Sequence, residues 1–210
     1  MNKFTMGIFQ GRLIPDTTVA GCIDIFENAW PNPAETIEAL ELECSNIESD
    51  LKWSKASTFG DGQYQSVRTN YDLCLTTCGD IYGNQLAKNL HNQMYFLLTA
   101  ALTPYTEKYS IYGEFMHEYY NVLKYSSGQK YDAHYDGSTS DGRSISAIVY
   151  LNNDYIGGEI EFVNFGIKIK PEPGMLLLFP SNYAYRHIAH PVVSGTKYAI
   201  VTWIKDRWIQ

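Results

Sequence analysis

Basic residues are in short supply in this chain. Its 16 Lys and Arg are outnumbered by 23 Asp and Glu, a formal net charge of −7 over 210 residues. Binding to a nucleic-acid backbone needs Lys and Arg clustered on one surface, so nucleic acid is not an expected partner. Long apolar runs are also missing. No stretch reaches the ~20 apolar residues of a membrane span, and none is expected to cross one. The first 15 residues mix polar and apolar types without the apolar core of a secretory signal, so a cytoplasmic location is expected. Cysteine is sparse: Cys22, Cys44, Cys74 and Cys78 include no C-x-x-C pair. Reduced, mostly buried thiols are therefore expected rather than disulfides or zinc. A reducing compartment would also keep iron ferrous. Internal repeats, low-complexity tracts and evident linkers are absent, and the length suits a single domain with a sizeable core.

What is present is ordinary globular composition, 45% hydrophobic and 14% aromatic, with an excess of tyrosine at 17 residues. Tyrosine suits strands and half-buried polar sites. The run Cys22-Ile23-Asp24-Ile25-Phe26 reads as a short strand, followed by the breaker Pro31-Asn32-Pro33. Residues 34–43 read as a short amphipathic helix, and one strand is expected at 65–69. Within 81–108, Leu86, Leu90, Met94, Leu97, Leu98, Ala101 and Tyr105 recur at helical spacing. That predicts a long helix whose apolar stripe packs on a sheet. Beyond Gly113 short β-rich runs dominate, at 119–125, 144–151, 159–163, 167–170, 175–179 and 198–204. Turn signals such as Asn152-Asn153-Asp154, Gly157-Gly158 and Pro173-Gly174 separate them. Many short strands with turns between them point to a sandwich or barrel rather than βαβ units. The expected fold class is α+β: a double-stranded β-helix (jelly roll) with supporting N-terminal helices. Residues 1–112 form the helix-rich scaffold and 113–210 the jelly-roll core of one domain.

The chemistry is concentrated at His134-Tyr135-Asp136, answered by His187 and by Lys197. Alternate residues of a strand share a face, so His134 and Asp136 can present an imidazole and a carboxylate together. His187 would complete two nitrogens and one oxygen on one side of a metal, leaving positions open as in non-haem Fe(II) oxygenases. An isolated H-x-D is weak, because a solvated His-Asp pair arises easily by chance. The surroundings add specificity. The apolar run 173–180 ends shortly before Tyr185-Arg186-His187, and Gly195-Thr196-Lys197-Tyr198 leads into Ala199-Ile200-Val201-Thr202-Trp203.

Residues from about 119 to 203 resemble the prolyl 4-hydroxylase family of Fe(II)/2-oxoglutarate-dependent dioxygenases. The resemblance rests on Tyr125 with Gly128-Gln129-Lys130-Tyr131 before the H-x-D, and on Asp141-Gly142-Arg143 leading to Val149-Tyr150-Leu151-Asn152. Gly157-Gly158-Glu159, the Pro-Gly strand, the distal histidine and the Gly-x-Lys-Tyr element follow in the family's order. Ser66-Val67-Arg68-Thr69 adds a fainter match upstream.

The resemblance implies His134, Asp136 and His187 as metal ligands for Fe(II), with 2-oxoglutarate as cosubstrate, O2 as oxidant and ascorbate as a reductant. It implies Lys197 as the cation for the far carboxylate of 2-oxoglutarate, a point charge where many relatives carry the arginine fork. Tyr150 and Tyr125 are implied as further cosubstrate donors, with Thr202 and Trp203 as lesser candidates for the pocket wall. Arg143 and Tyr131 are implied toward a peptide or protein substrate, a prolyl residue above all. Residues 137–142 would form a loop at the mouth. Each position has a plainer reading: Lys197 as an exposed strand lysine, Arg143 as a solvated loop end, Trp203 as core. His190 competes with His187 as distal ligand; Asp132 and Asp141 read as loop carboxylates, His91 and His117 as satisfied histidines. The alternatives in function are hydroxylation of another amino acid or a small molecule, or a jelly-roll binding module that holds metal without turnover.

Overall fold

The computed structural model describes residues 12–13, 22–56, 66–137 and 141–207. Its longest helix, Gln85–Tyr109, begins where the Asn84 side chain accepts a hydrogen bond from the Ala87 amide, and ends at Ser110 in the left-handed conformation. Its buried residues, Ala87, Leu90, Met94, Leu97, Leu98, Ala101, Leu102 and Tyr105, follow the three-and-four spacing of one helical face. The start lies later than the expected residue 81 because Gly83 turns the chain at φ 72 and Asn84 caps it. A separate short helix, Leu75–Asp80, precedes that turn. It is too brief to show a periodicity in sequence. The first helix, Pro33–Ser45, opens with Pro at its N-terminus, where a missing amide hydrogen does no harm.

These helices cover one face of a nine-stranded antiparallel sheet. Its order runs from Arg12–Leu13 through Asp24–Glu27, Leu176–Pro180, Arg143–Tyr150, Lys197–Arg207, Asn121–Tyr125 and Tyr71–Cys74 to Ser54–Lys55, with Glu114–His117 paired to the long Lys197–Arg207 strand. Facing it is a four-stranded sheet ordered Ile167–Ile169, Ile160–Phe162, His187–Ala189, Tyr131–His134. A small ladder joins Ile156–Gly157 to Val192–Ser194. Two facing antiparallel sheets with helices on the outer face of the larger make a jelly roll.

Strand alternation sorts the side chains. Along Arg143–Tyr150, Ile145, Ala147 and Val149 join the helix-side core, whereas Ile148 and Tyr150 pack between the sheets. Along Lys197–Arg207, Tyr198, Ile200 and Ile204 face the helices. Lys197, Ala199, Val201 and Trp203 line a cavity on the other side. A two-residue period thus separates a dry structural layer from a chemically equipped one.

Several expectations shift. The strand expected at 65–69 is a turn at 66–67 and a single bridge from Arg68 to Tyr131, and Gln65 lies outside the described residues. The regular strand is Tyr71–Cys74, which pairs with Asn121–Tyr125 far away in sequence. Of its four residues only Leu73 is buried, so a local apolar pattern is lacking. Asp136 sits in a bend just past the Tyr131–His134 strand, not on it. The four cysteines are free, but only Cys78 is buried; the others are half-buried. Among the described residues no helix is long and apolar enough to cross a membrane.

Because Leu98 is fully buried under the sheet and Phe96 is 70% exposed on the same helix, their truncations should diverge. Leu98→Ala is expected to cost about 2–5 kcal/mol. Phe96→Ala should stay within about 0.5 kcal/mol. Chemical denaturation of the two variants beside the wild type measures both.

Candidate active site

Two antiparallel neighbours of the smaller sheet bring the imidazoles together. His187 is the direct cross-strand partner of His134, and such partners stand side by side on one face. Their ring centroids lie 4.3 Å apart. Asp136 reaches them from the bend two residues on, its Oδ1 3.4 Å from His134 Nε2 and its Oδ2 3.8 Å from His187 Nε2. The ligand atoms of all three side chains fall within 4.8 Å of one another. At Gly137 a Cβ would sit 2.8 Å from the Arg143 carbonyl oxygen. The absence of a side chain there lets the chain after Asp136 lie against the neighbouring strand.

The hydrogen bonds fix the imidazole tautomers. His134 Nδ1 lies 2.8 Å from the Asp132 carbonyl oxygen, and His187 Nδ1 lies 3.0 Å from that of Tyr185. A carbonyl only accepts, so both Nδ1 atoms donate, and in the neutral rings both Nε2 atoms turn their lone pairs toward the cluster. Burial pushes the His187 pKa down to about 4, with His134 adding to the effect and Asp136 opposing it. It therefore stands neutral, as a ligand must. Burial works against the Asp136 anion, but His187, His134 and the Ser146 hydroxyl together hold its pKa well below the usual carboxylate range. Ser146 Oγ donates to Asp136 Oδ2 at 2.6 Å, and Ser181 Oγ lies 2.8 Å from Ser146 Oγ. Two neutral nitrogens and one anionic oxygen, each oriented by a further hydrogen bond, suit a divalent transition metal with open positions. The donor set thus fits Fe(II).

Aromatic rings brace the cluster. Tyr131 stacks on His134 with centroids 3.5 Å apart and planes 16° from parallel. The Arg68 guanidinium lies 5.1 Å from the Tyr131 ring centre. Phe179 packs edge-on against His187 at 5.0 Å.

Lys197 lines the same cavity from the larger sheet. It is 3% exposed. Its Nζ donates to the Gly158 carbonyl oxygen at 2.6 Å. Among the described residues no carboxylate lies within ion-pair distance of it. Burial drives its pKa down to about 7, with the Glu159 charge opposing. A buried ammonium so placed favours an anionic ligand. Tyr125 and Tyr150 line the cavity beside it, their rings centred 5.4 and 5.2 Å from Nζ. Burial raises both phenol pKa values, Tyr125 to about 12, so both rings are neutral donors.

Arg143 has partners within the protein that its place in the sequence did not suggest. Its Nε and NH2 donate to Glu118 Oε2 at 3.0 and 2.7 Å, and its NH1 donates to the Asp136 carbonyl at 3.1 Å. The guanidinium also lies 3.8 Å from the centre of the Trp203 ring. Glu118 pairs in turn with Lys205 at 2.7 Å. Arg143 is therefore not a solvated loop end; its guanidinium is bound to Glu118 and steadies the Asp136 backbone. Thr202 and Trp203 both line the cavity. His190 is bound to Glu161 at 2.6 Å and takes no part in the three-residue cluster. His91 meets Thr76, and His117 meets Tyr120. Asp132 pairs with Lys130, and Asp141 accepts from the Arg143 amide. Of the 137–142 loop, residues 138–140 lie outside the described residues.

The sequence reading passed over Glu118, Ser146 and Ser181. Ser146 carried a signal: a small polar residue on the inward side of an otherwise apolar strand. Glu118 and Ser181 carried none, because their partners are remote in the chain.

Comparison with known proteins supplies the remaining fact. Residues 120–205 match the model of the 2OG-Fe(II) oxygenase superfamily. The chain is 34% identical over 119 residues to the Arabidopsis thaliana protein named probable prolyl 4-hydroxylase 9, a match covering 43% of this chain and 41% of that protein. Prolyl 4-hydroxylase 13 of the same plant is 29% identical over 141 residues, 52% of each chain. The chain thus spans about half the length of the curated relatives it matches. Among solved structures it resembles a Trichoplax adhaerens prolyl hydroxylase in complex with a hypoxia-inducible factor peptide fragment. That likeness has a TM-score of 0.69 and 22% identity over 89% of this chain and 84% of that one, and it shows a shared fold.

Replacing His187 by Ala should abolish Co(II) or Fe(II) binding, while His190→Ala leaves it intact. Ser146→Ala should weaken binding by about 10–100-fold. Spectroscopic titration with Co(II) distinguishes the three. Lys197→Met should bind no dicarboxylate, yet should stabilise the ligand-free protein by about 1–4 kcal/mol near neutral pH. The sign follows from the depressed folded-state pKa. The penalty is fully present below about pH 7 and fades as pH approaches the ordinary lysine value of 10.5, so the advantage of Met shrinks over that window. Thermal melts between pH 6.5 and 10 read it.

Proposed function

We propose that this chain is an Fe(II)/2-oxoglutarate-dependent dioxygenase that hydroxylates a C–H bond, with a prolyl residue in a peptide or protein as the substrate. The observation carrying this reading is the shared cavity: the His134, Asp136, His187 cluster and the buried Lys197 ammonium open into one space. An inert binding module has no use for a buried cation beside three oriented ligands, because each alone is unfavourable. The prolyl assignment is supported by the names of the matched relatives. A peptide or protein partner is supported by the peptide bound to the Trichoplax protein.

Fe(II), when bound, supplies the coupling of 2-oxoglutarate decarboxylation to oxygen insertion, so that 2-oxoglutarate, O2 and R–H yield succinate, CO2 and R–OH. The rest falls to the chain. His134, Asp136 and His187 hold the metal from one side, and their outward hydrogen bonds to Asp132, Tyr185 and Ser146 keep the ligands aimed. Lys197 provides a charge-assisted hydrogen bond for the far carboxylate of 2-oxoglutarate, with neutral Tyr150 and Tyr125 as further donors. Burial of these groups keeps the site dry and strengthens each electrostatic contact. Tyr131, stacked on His134, and Trp203 form apolar walls suited to a pyrrolidine ring. Ascorbate is expected to support turnover as a reductant. Arg143, already paired with Glu118, would act by holding both Asp136 and the mouth.

Incubation with Fe(II), 2-oxoglutarate and ascorbate should release succinate, and proline-containing peptides should gain one oxygen by mass spectrometry. Binding of 2-oxoglutarate requires the Lys197 ammonium. Its KM should be level below pH 7 and rise by up to about tenfold per pH unit above it. Lys197→Arg, which stays charged, should flatten that profile. Absence of succinate under all these conditions would rule the dioxygenase out; succinate without oxidised proline would redirect the substrate to another side chain or a small molecule.

A further inference from the structure

The Lys197 ammonium is held by more than burial. Its neighbours are clamped by Asn152, whose Nδ2 donates to the Thr196 carbonyl at 2.7 Å and whose Oδ1 accepts from the Tyr198 amide at 2.8 Å. Its tip is fixed by the Gly158 carbonyl. That carbonyl belongs to a turn in which Gly157 and Gly158 both adopt left-handed backbone, φ 78 and 70. A Cβ on Gly157 would lie 2.4 Å from the Pro191 carbonyl oxygen. One on Gly158 would lie 2.8 Å from Tyr155 Cε2 and 3.3 Å from Lys197 Cδ. The Tyr155 ring is thus pressed against the double-glycine turn beside the lysine stem.

Gly195 encloses Tyr155 from the other side. It also has positive φ, 83, and a Cβ there would come within 3.0 Å of the Tyr155 backbone and Cβ. Gly195 stands two residues before Lys197. Tyr155 is 6% exposed, and its hydroxyl is buried without a hydrogen-bond partner. An orphaned hydroxyl brings only a desolvation penalty, so the useful part of this residue is the ring.

We propose that Tyr155 and the Gly157–Gly158 turn are positioning residues that fix the reach of the Lys197 ammonium and so select the chain length of the 2-oxo diacid the site accepts. The inference rests on the proposed oxygenase reading and adds a selectivity device to it. A lysine is a point charge on a flexible four-carbon stem, so unlike an arginine fork it has no orientation of its own. Held at the Gly158 carbonyl, on a turn that the Tyr155 ring packs against, it meets a distal carboxylate at one depth only. A diacid one methylene longer or shorter then leaves either the metal end or the lysine end mismatched. Loosening the clamp lets the ammonium follow the carboxylate, which weakens binding of the correct acid and narrows its advantage over a longer one.

The test measures succinate or homologous product from 2-oxoglutarate and from 2-oxoadipate, with Co(II) affinity and thermal melting alongside. Gly158→Ala and Tyr155→Leu should raise KM for 2-oxoglutarate by about tenfold or more and shrink the KM preference over 2-oxoadipate by a similar factor. Their kcat at saturation and Co(II) affinity should stay within about twofold. Tyr155→Phe keeps the ring and should match the wild type in both constants. Gly166→Ala imposes the same backbone strain, φ 66, in open space, and should lower stability without moving either KM. Folded Gly158→Ala or Tyr155→Leu protein with wild-type KM and preference overturns the inference, as does a Tyr155→Phe protein that behaves like Tyr155→Leu. If Gly158→Ala does not fold, Tyr155→Leu and Tyr155→Phe decide it between them. Wild-type protein that neither binds nor turns over 2-oxoglutarate would instead remove the oxygenase reading itself.

Discussion

The pairing of His187 with His134 across two antiparallel strands is the contact on which the site depends. It converts residues 53 positions apart into immediate neighbours, and cross-strand partners on one face cannot easily separate without breaking the ladder. A slip of one residue would turn either imidazole to the other side of the sheet. The surrounding structure resists that slip. Phe162 pairs opposite His187 on the other flank, and Phe162 and Phe179 pack edge to face beneath it. The ligand pair therefore inherits its precision from a hydrophobic layer.

Two opposed layers share the larger sheet. Its helix side is filled by aliphatic residues from the Gln85–Tyr109 helix and alternate strand positions. Its inner side carries Ser146, Tyr150 and Lys197, all buried and all polar at the tip. Burying these groups opposes stability unless partners are present. The apolar layer supplies the compensation, and the most exacting group, Lys197, receives one carbonyl and, among the described residues, no carboxylate at ion-pair distance. Stability and function are thus set by opposite faces of the same strands.

Arg143 shows how a tertiary contact reassigns a residue. A loop-end arginine beside the H-x-D reads as free to meet a substrate. In the folded chain it bridges Glu118 and the Asp136 carbonyl over Trp203, and Glu118 also holds Lys205. These partners come from three separate stretches of sequence. The same holds for Ser181, which reaches the metal cluster only through Ser146.

Much was legible in the amino-acid order. The periodic stripe from Leu90 to Tyr105 defined the long helix, because helical faces repeat locally. The strand-turn rhythm after Gly113 pointed to a double sheet, and His134, Asp136, His187 and Lys197 stood out through the spacing of their flanking motifs. Strands with little apolar pattern were not legible: Tyr71–Cys74 and Glu114–His117 exist because a neighbour far along the chain offers them hydrogen bonds. Nor were the bend that carries Asp136, the Glu118 partner of Arg143 or the cage around Lys197, whereas the spacing to Pro191 and Lys197 already favoured His187 over His190. The sequence by itself determined which side chains bear the chemistry and which periodicity each segment follows, since both are local properties. Only the tertiary structure decided which of those side chains meet, because register, bends and ion-pair partners are set by surfaces that the chain brings together when it folds.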